Sequence, residues 1–427
     1  MAAIKAFRGI VYNREKAGNI AGVVAPPYDV ISSRMQEELY RKSPYNVVRL
    51  ILNKIKNGDT SADNRYTRAG KHFREWLKKG VLVRDDADSL YVYAQRYKYG
   101  GKSFEMTGFI GLMALDLGKK GNVLPHENTL KAPKADRLEL MKNVGANLSP
   151  IFMLYEDPAH RISGAIGKKT KTTKPFIDVT IDGVRSRVWR ISDKKSVAAI
   201  RHTMAGKKVF IADGHHRYET AVNYARYLAK TGAAREEKEA ARFFMAYFAE
   251  LNEKTLTILP THRLIKDAGG LKKKGLLDKL GGAFAVEKVS SVNRMISRLE
   301  KLRRGHAFGV SMGKKDLYVI KLKSEKTALP FMGDASKAWK ELDVSILHLF
   351  VIRHLLGISD ADENIEFSKS AEEAAALAGR GKFKLAFILN PTKVRQMRKV
   401  AEAGEKMPRK ATYFYPKPLS GLVINKF

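Results

Sequence analysis

The sequence predicts a mixed α/β protein of the α+β kind, and three observations predict it. Strand patterns come in pairs around tight turns: residues 90–99 and 103–117 flank Gly100-Gly101, and residues 176–191 fold back at Asp182-Gly183. Elsewhere an apolar strand runs straight into a helical pattern, as across residues 207–230. The two kinds of pattern alternate irregularly, which disfavours a doubly wound parallel sheet.

Taken in order, Val23-Val24-Ala25 is a short apolar run stopped by Pro26-Pro27, with Ser32 or Ser33 as the cap of a helix over residues 35–41 that Pro44 ends. Residues 47–52 read as a strand. Tyr66, Ala69, Phe73, Trp76 and Leu77 stand at helical spacing in residues 65–79, closed by Gly80. A polar loop over residues 123–129 leads to a helix over residues 134–144, and residues 151–155 read as a buried strand. Residues 163–174 are small and basic and read as a loop, a boundary or an insertion. In residues 218–230, Ala221, Tyr224, Ala225 and Leu228 share one helix face, and residues 243–251 read as a buried strand.

After Gly269-Gly270 the character changes. Helices over residues 272–284 and 292–302, a strand pair over 307–322, a helix over 344–356, a strand over 383–389 and a helix over 393–403 suggest a separate α/β unit. The predicted division is therefore an N-terminal region, residues 1–268, and a C-terminal α/β domain, residues 269–427.

The 427-residue length suits two or three domains, and a 44% hydrophobic share suits a globular chain with a large core. No run of 18 apolar residues occurs; His348, Arg353 and His354 break the longest candidate, so no membrane association is expected. Residues 1–10 lack the apolar stretch of a secretory signal, so a cytoplasmic protein is expected. The absence of cysteine excludes disulfides, thiolate nucleophiles and Cys-ligated metals. Seventy-nine Lys and Arg against 44 Asp and Glu give +35, a field that attracts anions. The excess is spread over Lys168-Lys169, Lys272-Lys273-Lys274, Arg303-Arg304 and residues 406–410. No single segment carries it, so nucleic-acid binding is the less favoured reading.

Ile211-Ala212-Asp213-Gly214-His215-His216-Arg217 carries the strongest chemical signal. Apolar residues deliver the chain to Asp213, and Gly214 permits a tight turn or positive φ. His215, His216 and Arg217 then fall in the first helical turn, where the positive end of the dipole stabilises an anion. Arg217 adds a planar donor suited to phosphate, and the histidines act as neutral donors or cations near pH 7. Asp213 either holds a divalent cation between phosphates or acts on a proton. The plainer alternative is a capping Asp followed by two surface histidines.

His126-Glu127 comes second, because a partly buried Glu can be tuned to serve as a general base. Its alternative is a solvated Glu in a loop where Asn128 and Thr129 cap the next helix. Thr261-His262-Arg263 offers a similar set of donors, or is a surface turn. Pro26-Pro27-Tyr28-Asp29 and Ser149-Pro150 read as rigid structural turns. Residues 407–417 mix basic and aromatic side chains, as a phosphate-facing strand or a covering strand would. His126, Glu127, His215, His216 and His262 could also ligate zinc, which keeps a metal-dependent hydrolase as an alternative, although His-Glu-x-x-His is absent. Walker A, Gly-x-Gly-x-x-Gly and Gly-x-Ser-x-Gly patterns are absent too.

Ala25-Pro26-Pro27-Tyr28-Asp29-Val30, His126-Glu127-Asn128-Thr129, Asp213-Gly214-His215-His216-Arg217, Leu259-Pro260-Thr261-His262-Arg263, Leu342-Asp343-Val344-Ser345 and the tail from Met407-Pro408 to Gly421 together resemble the domain of unknown function 1015 family, over essentially the whole chain. The Asp-Gly-His-His-Arg loop preceded by His-Glu also resembles the site of free-serine kinases of the ParB/sulfiredoxin-like fold. That resemblance implies a ParB/sulfiredoxin-like catalytic core with added N-terminal and C-terminal α/β elements. It implies ATP or ADP as phosphoryl donor with Mg²⁺, and Glu127 as the base. Asp213, Gly214, His215, His216 and Arg217 would form the phosphate and metal site, Asp213 also being a candidate catalytic group. His126, Thr129, Thr261, His262 and Arg263 are the outer candidates for substrate or phosphate binding. The expected activity is phosphorylation of a small hydroxyl metabolite, free L-serine first. The alternatives are a ParB-like nucleotide-binding protein that binds DNA, or the hydrolase. The chain departs from those kinases in the long interval between the two motifs and in its large C-terminal part.

Overall fold

The hairpin predicted at Gly100-Gly101 forms the middle of the first sheet. Both glycines have positive φ, as do Asp182 and Gly183 in the second hairpin, and this left-handed pair is what a two-residue turn between right-twisted strands requires. The computed structural model describes residues 3–118, 121–313, 315–359, 361 and 363–427; Met1 and Ala2, the start of the segment read for a signal, lie outside the described residues.

The chain forms two compact units. The first spans residues 1–125, 129–256 and 416–427. In chain order its main sheet contains β1 (Ile4–Lys5), β2 (Leu90–Tyr99), β3 (Lys102–Ala114), β4 (Val123–Leu124), β5 (Ile151–Tyr155), β6 (Ile177–Ile181), β7 (Val184–Ile191), β8 (Val209–Asp213) and β9 (Phe243–Glu250). Their order is β4-β8-β5-β9-β3-β2-β7-β6, with β1 on β3. Only β8 with β4 and β9 with β5 run parallel. The sheet is therefore mixed, as the irregular alternation predicts.

Helices of this unit include α1 (Ser33–Lys42), α2 (Val48–Ile51), α3 (Arg65–Lys78), α4 (Lys131–Val144), α5 (Arg161–Thr172), α6 (Lys194–Met204) and α7 (His215–Ala229). One face of the sheet, including Phe244, Ala246 and Phe248 at strand spacing, packs with Ile162 and Ile166 of α5, Ile200 and Met204 of α6, and Ala221 and Ala225 of α7. Two expectations are corrected here. Residues 47–52 are not a strand: Val48, Leu50 and Ile51 are buried in a short helix whose Arg49 is partly exposed, and one turn is too short to show a period that separates the two states. The Asn46 side chain fixes that helix by accepting from the Val48 N–H and donating to Gly22 and Val24 carbonyls. Most of residues 163–174 is not a loop: α5 runs through Thr172 and buries Ile162 and Ile166, and the small residues between them and the Gly167-Lys168-Lys169 run after them hid that narrow stripe.

The second unit spans residues 126–128 and 257–415. Its main sheet, all antiparallel, contains β10 (His262–Ile265), β11 (Phe284–Lys288), β12 (Ala307–Ser311), β13 (Leu317–Leu322), β14 (Ile365–Ser368) and β15 (Leu385–Ile388), ordered β11-β13-β12-β15-β10-β14. Its helices include α8 (Lys273–Ala283), α9 (Val292–Lys301), α10 (Ala371–Leu377) and α11 (Val394–Glu402). Met295 and Leu299 of α9 and Ala371, Ala374 and Ala375 of α10 cover the sheet. The helix expected over residues 344–356 winds as a π-helix over Ile346–Leu355, with the Leu356 N–H bonded to the Val351 carbonyl at 3.0 Å.

The chain enters the second unit earlier than Gly269 because β10 already pairs with β14 and β15. The tail returns to the first unit, where Ile424 and Ile10 exchange backbone hydrogen bonds of 2.8 and 2.9 Å. Among the described residues no helix is long and apolar enough to cross a membrane.

Candidate active site

In the first unit β8 carries buried Val209, Phe210 and Ile211 to Asp213, with an irregularity in its pairing between Ile211 and Asp213. Such a break re-aims the side chain that follows it. Gly214 has φ +98°, and a Cβ there would lie 2.9 Å from the Arg217 guanidinium. Glycine is thus required both for the turn and for the close approach. The fifteen-residue helix α7 begins at His215, so its positive dipole end sits at this loop.

Asp213 is the anchor of two cations. Its Oδ2 accepts from Arg217 Nη2 at 2.6 Å, and its Oδ1 meets the Lys417 ammonium. Arg217 is fixed further by donating through Nη1 to the Pro150 carbonyl. Lys417 also donates to Asp29 Oδ2 at 2.7 Å. Burial alone lowers the Lys417 pKa, but the carboxylates of Asp213 and Asp29 outweigh it and raise the value above that of ordinary lysine. The ammonium therefore stays charged at neutral pH.

Around the loop, His216 Nε2 accepts from the Leu130 N–H at 3.0 Å. Thr129 donates to Glu219 Oε2 at 2.6 Å, and Lys134 reaches the same oxygen at 2.8 Å. The residue capping α4 is Leu130, without a side-chain hydrogen bond, so Thr129 braces α7 instead of capping α4. His215 is buried. Behind Arg217 lies a cavity of about 50 Å³ whose lining includes Tyr28, Arg137, Ser149, Ile151 and Thr220. Arg137 stacks 4.0 Å over the Tyr28 ring, while the fully buried Thr220 hydroxyl has no hydrogen-bond partner among the described residues.

His126 and Glu127 belong to the second unit. His126 is fully buried, with Nε2 2.9 Å from Thr412 Oγ1, and the Thr412 hydroxyl donates to Glu127 Oε1 at 3.4 Å. A hydroxyl has one proton; given to Glu127, it leaves Thr412 to accept from His126 Nε2. Glu127 is further held by a parallel bridge to Met407, whose N–H donates to the His126 carbonyl at 2.8 Å.

Thr261, His262 and Arg263 are all buried, the last two on β10. His262 Nδ1 accepts from the Leu389 N–H at 3.2 Å, and burial pushes its pKa down to about 4. Arg263 donates to the carbonyls of Thr261, Arg409 and Lys410 and to His348 Nε2, and burial pushes its pKa down to about 9. Sequence reasoning missed Lys417, Asp29, Thr412 and Thr220 as members of these clusters. Asp29 and Lys417 lay in segments singled out as a turn and a tail, but nothing in their spacing joined them.

Among the described residues no group of three or more His, Asp or Glu is placed to hold a metal ion. Each Asp213 oxygen already faces a cation, so this carboxylate is better suited to holding Arg217 and Lys417 than to ligating a metal directly.

No curated protein matches the chain. Among solved structures it is similar to a free serine kinase in complex with AMP, at 13% identity and a TM-score of 0.33, covering 71% of this chain and 86% of that one. A conserved hypothetical protein from Pyrococcus furiosus is similar at 13% identity and a TM-score of 0.34, covering 72% and 91%. SbnI with C-terminal truncation from Staphylococcus aureus is similar at 11% identity and a TM-score of 0.34, covering 73% and 85%. The family described as "Protein of unknown function (DUF1015)" matches residues 4–345, which is most of the chain, and the chain belongs to that family.

Proposed function

We propose that this protein is a cytoplasmic phosphotransferase that moves a phosphoryl group from ATP or ADP to a small hydroxyl metabolite, with free L-serine the leading acceptor. The observation that carries the reading is the cation pair Arg217 and Lys417, both fixed on Asp213 at the start of α7. Phosphoryl transfer asks little covalent help of a protein; it needs positioning, a base, and positive charge beside the transferring group. Arg217, Lys417 and the helix dipole supply charge in fixed positions, which costs no reorganisation during reaction.

Glu127 is assigned the base by the resemblance of its motif, and the His126–Thr412 hydrogen bonds orient it in support of that role. The acceptor oxygen bonds to the terminal phosphorus, the bond to the nucleotide breaks, and the hydroxyl proton passes to Glu127. Mg²⁺ would enter with the nucleotide phosphates and neutralise part of their charge, since Asp213 is engaged by Lys417 and Arg217.

The test is incubation with ATP or ADP and a panel of hydroxyl metabolites including L-serine, followed by phosphorus NMR. A new phosphoester is expected, and Glu127→Gln should slow its formation about 10²–10⁴-fold while nucleotide binding persists. No phosphoester with any pair, or a normal rate in Glu127→Gln, overturns the proposal.

A further inference from the structure

The second unit contains a cavity of about 420 Å³ that the proposed reaction does not use. Basic side chains dominate its lining: Arg303 and Arg304 follow α9, Lys393 precedes α11, and Arg395 and Lys399 stand four residues apart on α11. Arg303 is paired with Glu300 at 2.7 Å. Two of the three acidic residues in the lining, Asp343 and Glu325, are occupied by His306 at 2.7 and 3.4 Å; the third, Glu341, lies 3.7 Å from Lys337. Arg304, Arg395 and Lys399 have no ion pair among the described residues, although they converge on one hollow. Like charges at four-residue helical spacing, and within a Debye length of others, repel one another until an anion enters.

A smaller hollow shares Asp343, Asn390, Pro391 and Gln396 with this cavity. Arg263 lines it, buried and hydrogen-bonded to carbonyls and His348 with no carboxylate partner among the described residues. Thr261 lines it too, 7% exposed and with its hydroxyl unpartnered among the described residues. The positive field therefore continues inward from the rim, and a polar group is left there to receive a ligand or a water.

We propose that this cavity binds a compact polyphosphate anion, either free or as the phosphate tail of a nucleotide. Several unpaired cations in a hollow of this size match a chain of phosphates better than one carboxylate or one orthophosphate. Among the described residues no Phe, Tyr or Trp lines it to stack a base, and recognition rests on charge. The site shares no residue with the Asp213 cluster, which makes the two proposals independently testable.

The experiment is calorimetric titration of the full chain with tripolyphosphate, orthophosphate, ATP and a short DNA duplex. Three proteins are compared: native, Arg217→Ala, and the triple variant Arg304→Ala, Arg395→Ala, Lys399→Ala. The three side chains are exposed and their mutual repulsion is removed with them, so a thermal midpoint at or above the native value is expected and shows that the variant is folded. Tripolyphosphate should bind more tightly than orthophosphate. Its affinity should fall about tenfold or more in the triple variant, fall with rising salt, and survive Arg217→Ala. A parallel loss of ATP binding identifies the nucleotide tail as a source; unchanged ATP binding identifies free polyphosphate. Equal tripolyphosphate affinity in native and triple variant overturns the proposal, as does loss only in Arg217→Ala. Duplex binding that needs the three cations but that tripolyphosphate does not displace would assign the surface to nucleic acid instead.

Discussion

Asp213 and Lys417 are 204 positions apart in sequence, yet the lysine ammonium sits on the aspartate Oδ1 while Asp29 takes its other side at 2.7 Å. The Lys417 side chain is only 9% exposed and that of Asp213 15%, so removing the lysine charge leaves the Asp213 carboxylate poorly solvated beside Arg217, while Asp29 keeps access to water. Lys417→Met should therefore destabilise the first unit by about 3 kcal/mol, the low end for breaking a buried pair by removing one partner. Urea unfolding measures the loss, and Lys417→Arg should restore a good part of it. A cost under about 1 kcal/mol would mean the pair is solvated like a surface bridge.

The pH dependence of that contact has a definite sign. The folded Lys417 pKa is raised above its ordinary 10.5, so its contribution is complete below that value and is lost as pH rises through the folded one. The stability gap between native protein and Lys417→Met should stay flat from about pH 6 to 9 and close only in stronger alkali. A gap already closing near neutrality would contradict the cation assigned to this site.

Gly214→Ala tests the cradle from the backbone side. At φ +98° an alanine is strained, and its Cβ would press on the Arg217 guanidinium. A loss of about 1–3 kcal/mol is expected, with weaker nucleotide binding because Arg217 must move. Thermal unfolding and nucleotide titration read the two effects separately. Unchanged binding would remove Arg217 from the proposed phosphate site.

The legible part of this molecule is the part in which chemistry is local. The apolar strand, the glycine and the polar first helical turn follow one another in sequence, so Asp213 to Arg217 could be located from their order. The hairpins were legible for the same reason, since their turn residues must take positive φ. Lys417 was not, because the contact that defines it depends on how distant segments pack. Asp29 followed a Pro-Pro pair and looked like part of a rigid turn. The helix Val48–Ile51 failed differently: with three of its four residues buried and Arg49 alone partly exposed, a single turn is too short to show the period that distinguishes a helix from a strand.

The unpartnered Thr220 hydroxyl gives a prediction of opposite direction. A buried hydroxyl without a hydrogen bond carries a desolvation cost, so Thr220→Val should raise stability by about 1 kcal/mol. Thermal unfolding checks the sign. A lower midpoint would mean that the hydroxyl finds a partner, and a loss of acceptor binding with a raised midpoint would identify that partner as ligand.

The last prediction concerns acid. His262 Nδ1 accepts from the Leu389 N–H, and His348 Nε2 accepts from Arg263 Nε, so each bond requires an unprotonated ring nitrogen. Burial, reinforced by the charge of Arg263, pushes His262 down to about 4 and His348 down to about 3 from an ordinary 6.5. Because these folded values are depressed, the unfolded chain takes up protons first as pH falls. The stabilisation is intact above about pH 6.5 and declines through the folded values, by about 1.4 kcal/mol per pH unit for each histidine. Stability measured between pH 7 and 4 should therefore fall steeply in the second unit. Amide exchange on β10 and β15 should accelerate in the same interval. His262→Asn, whose side-chain oxygen can still accept from Leu389, should flatten one histidine's share of the slope without unfolding the unit at pH 7. An equally steep decline in that variant would place the acid sensitivity elsewhere, and His348 with Arg263 would be the next pair to separate.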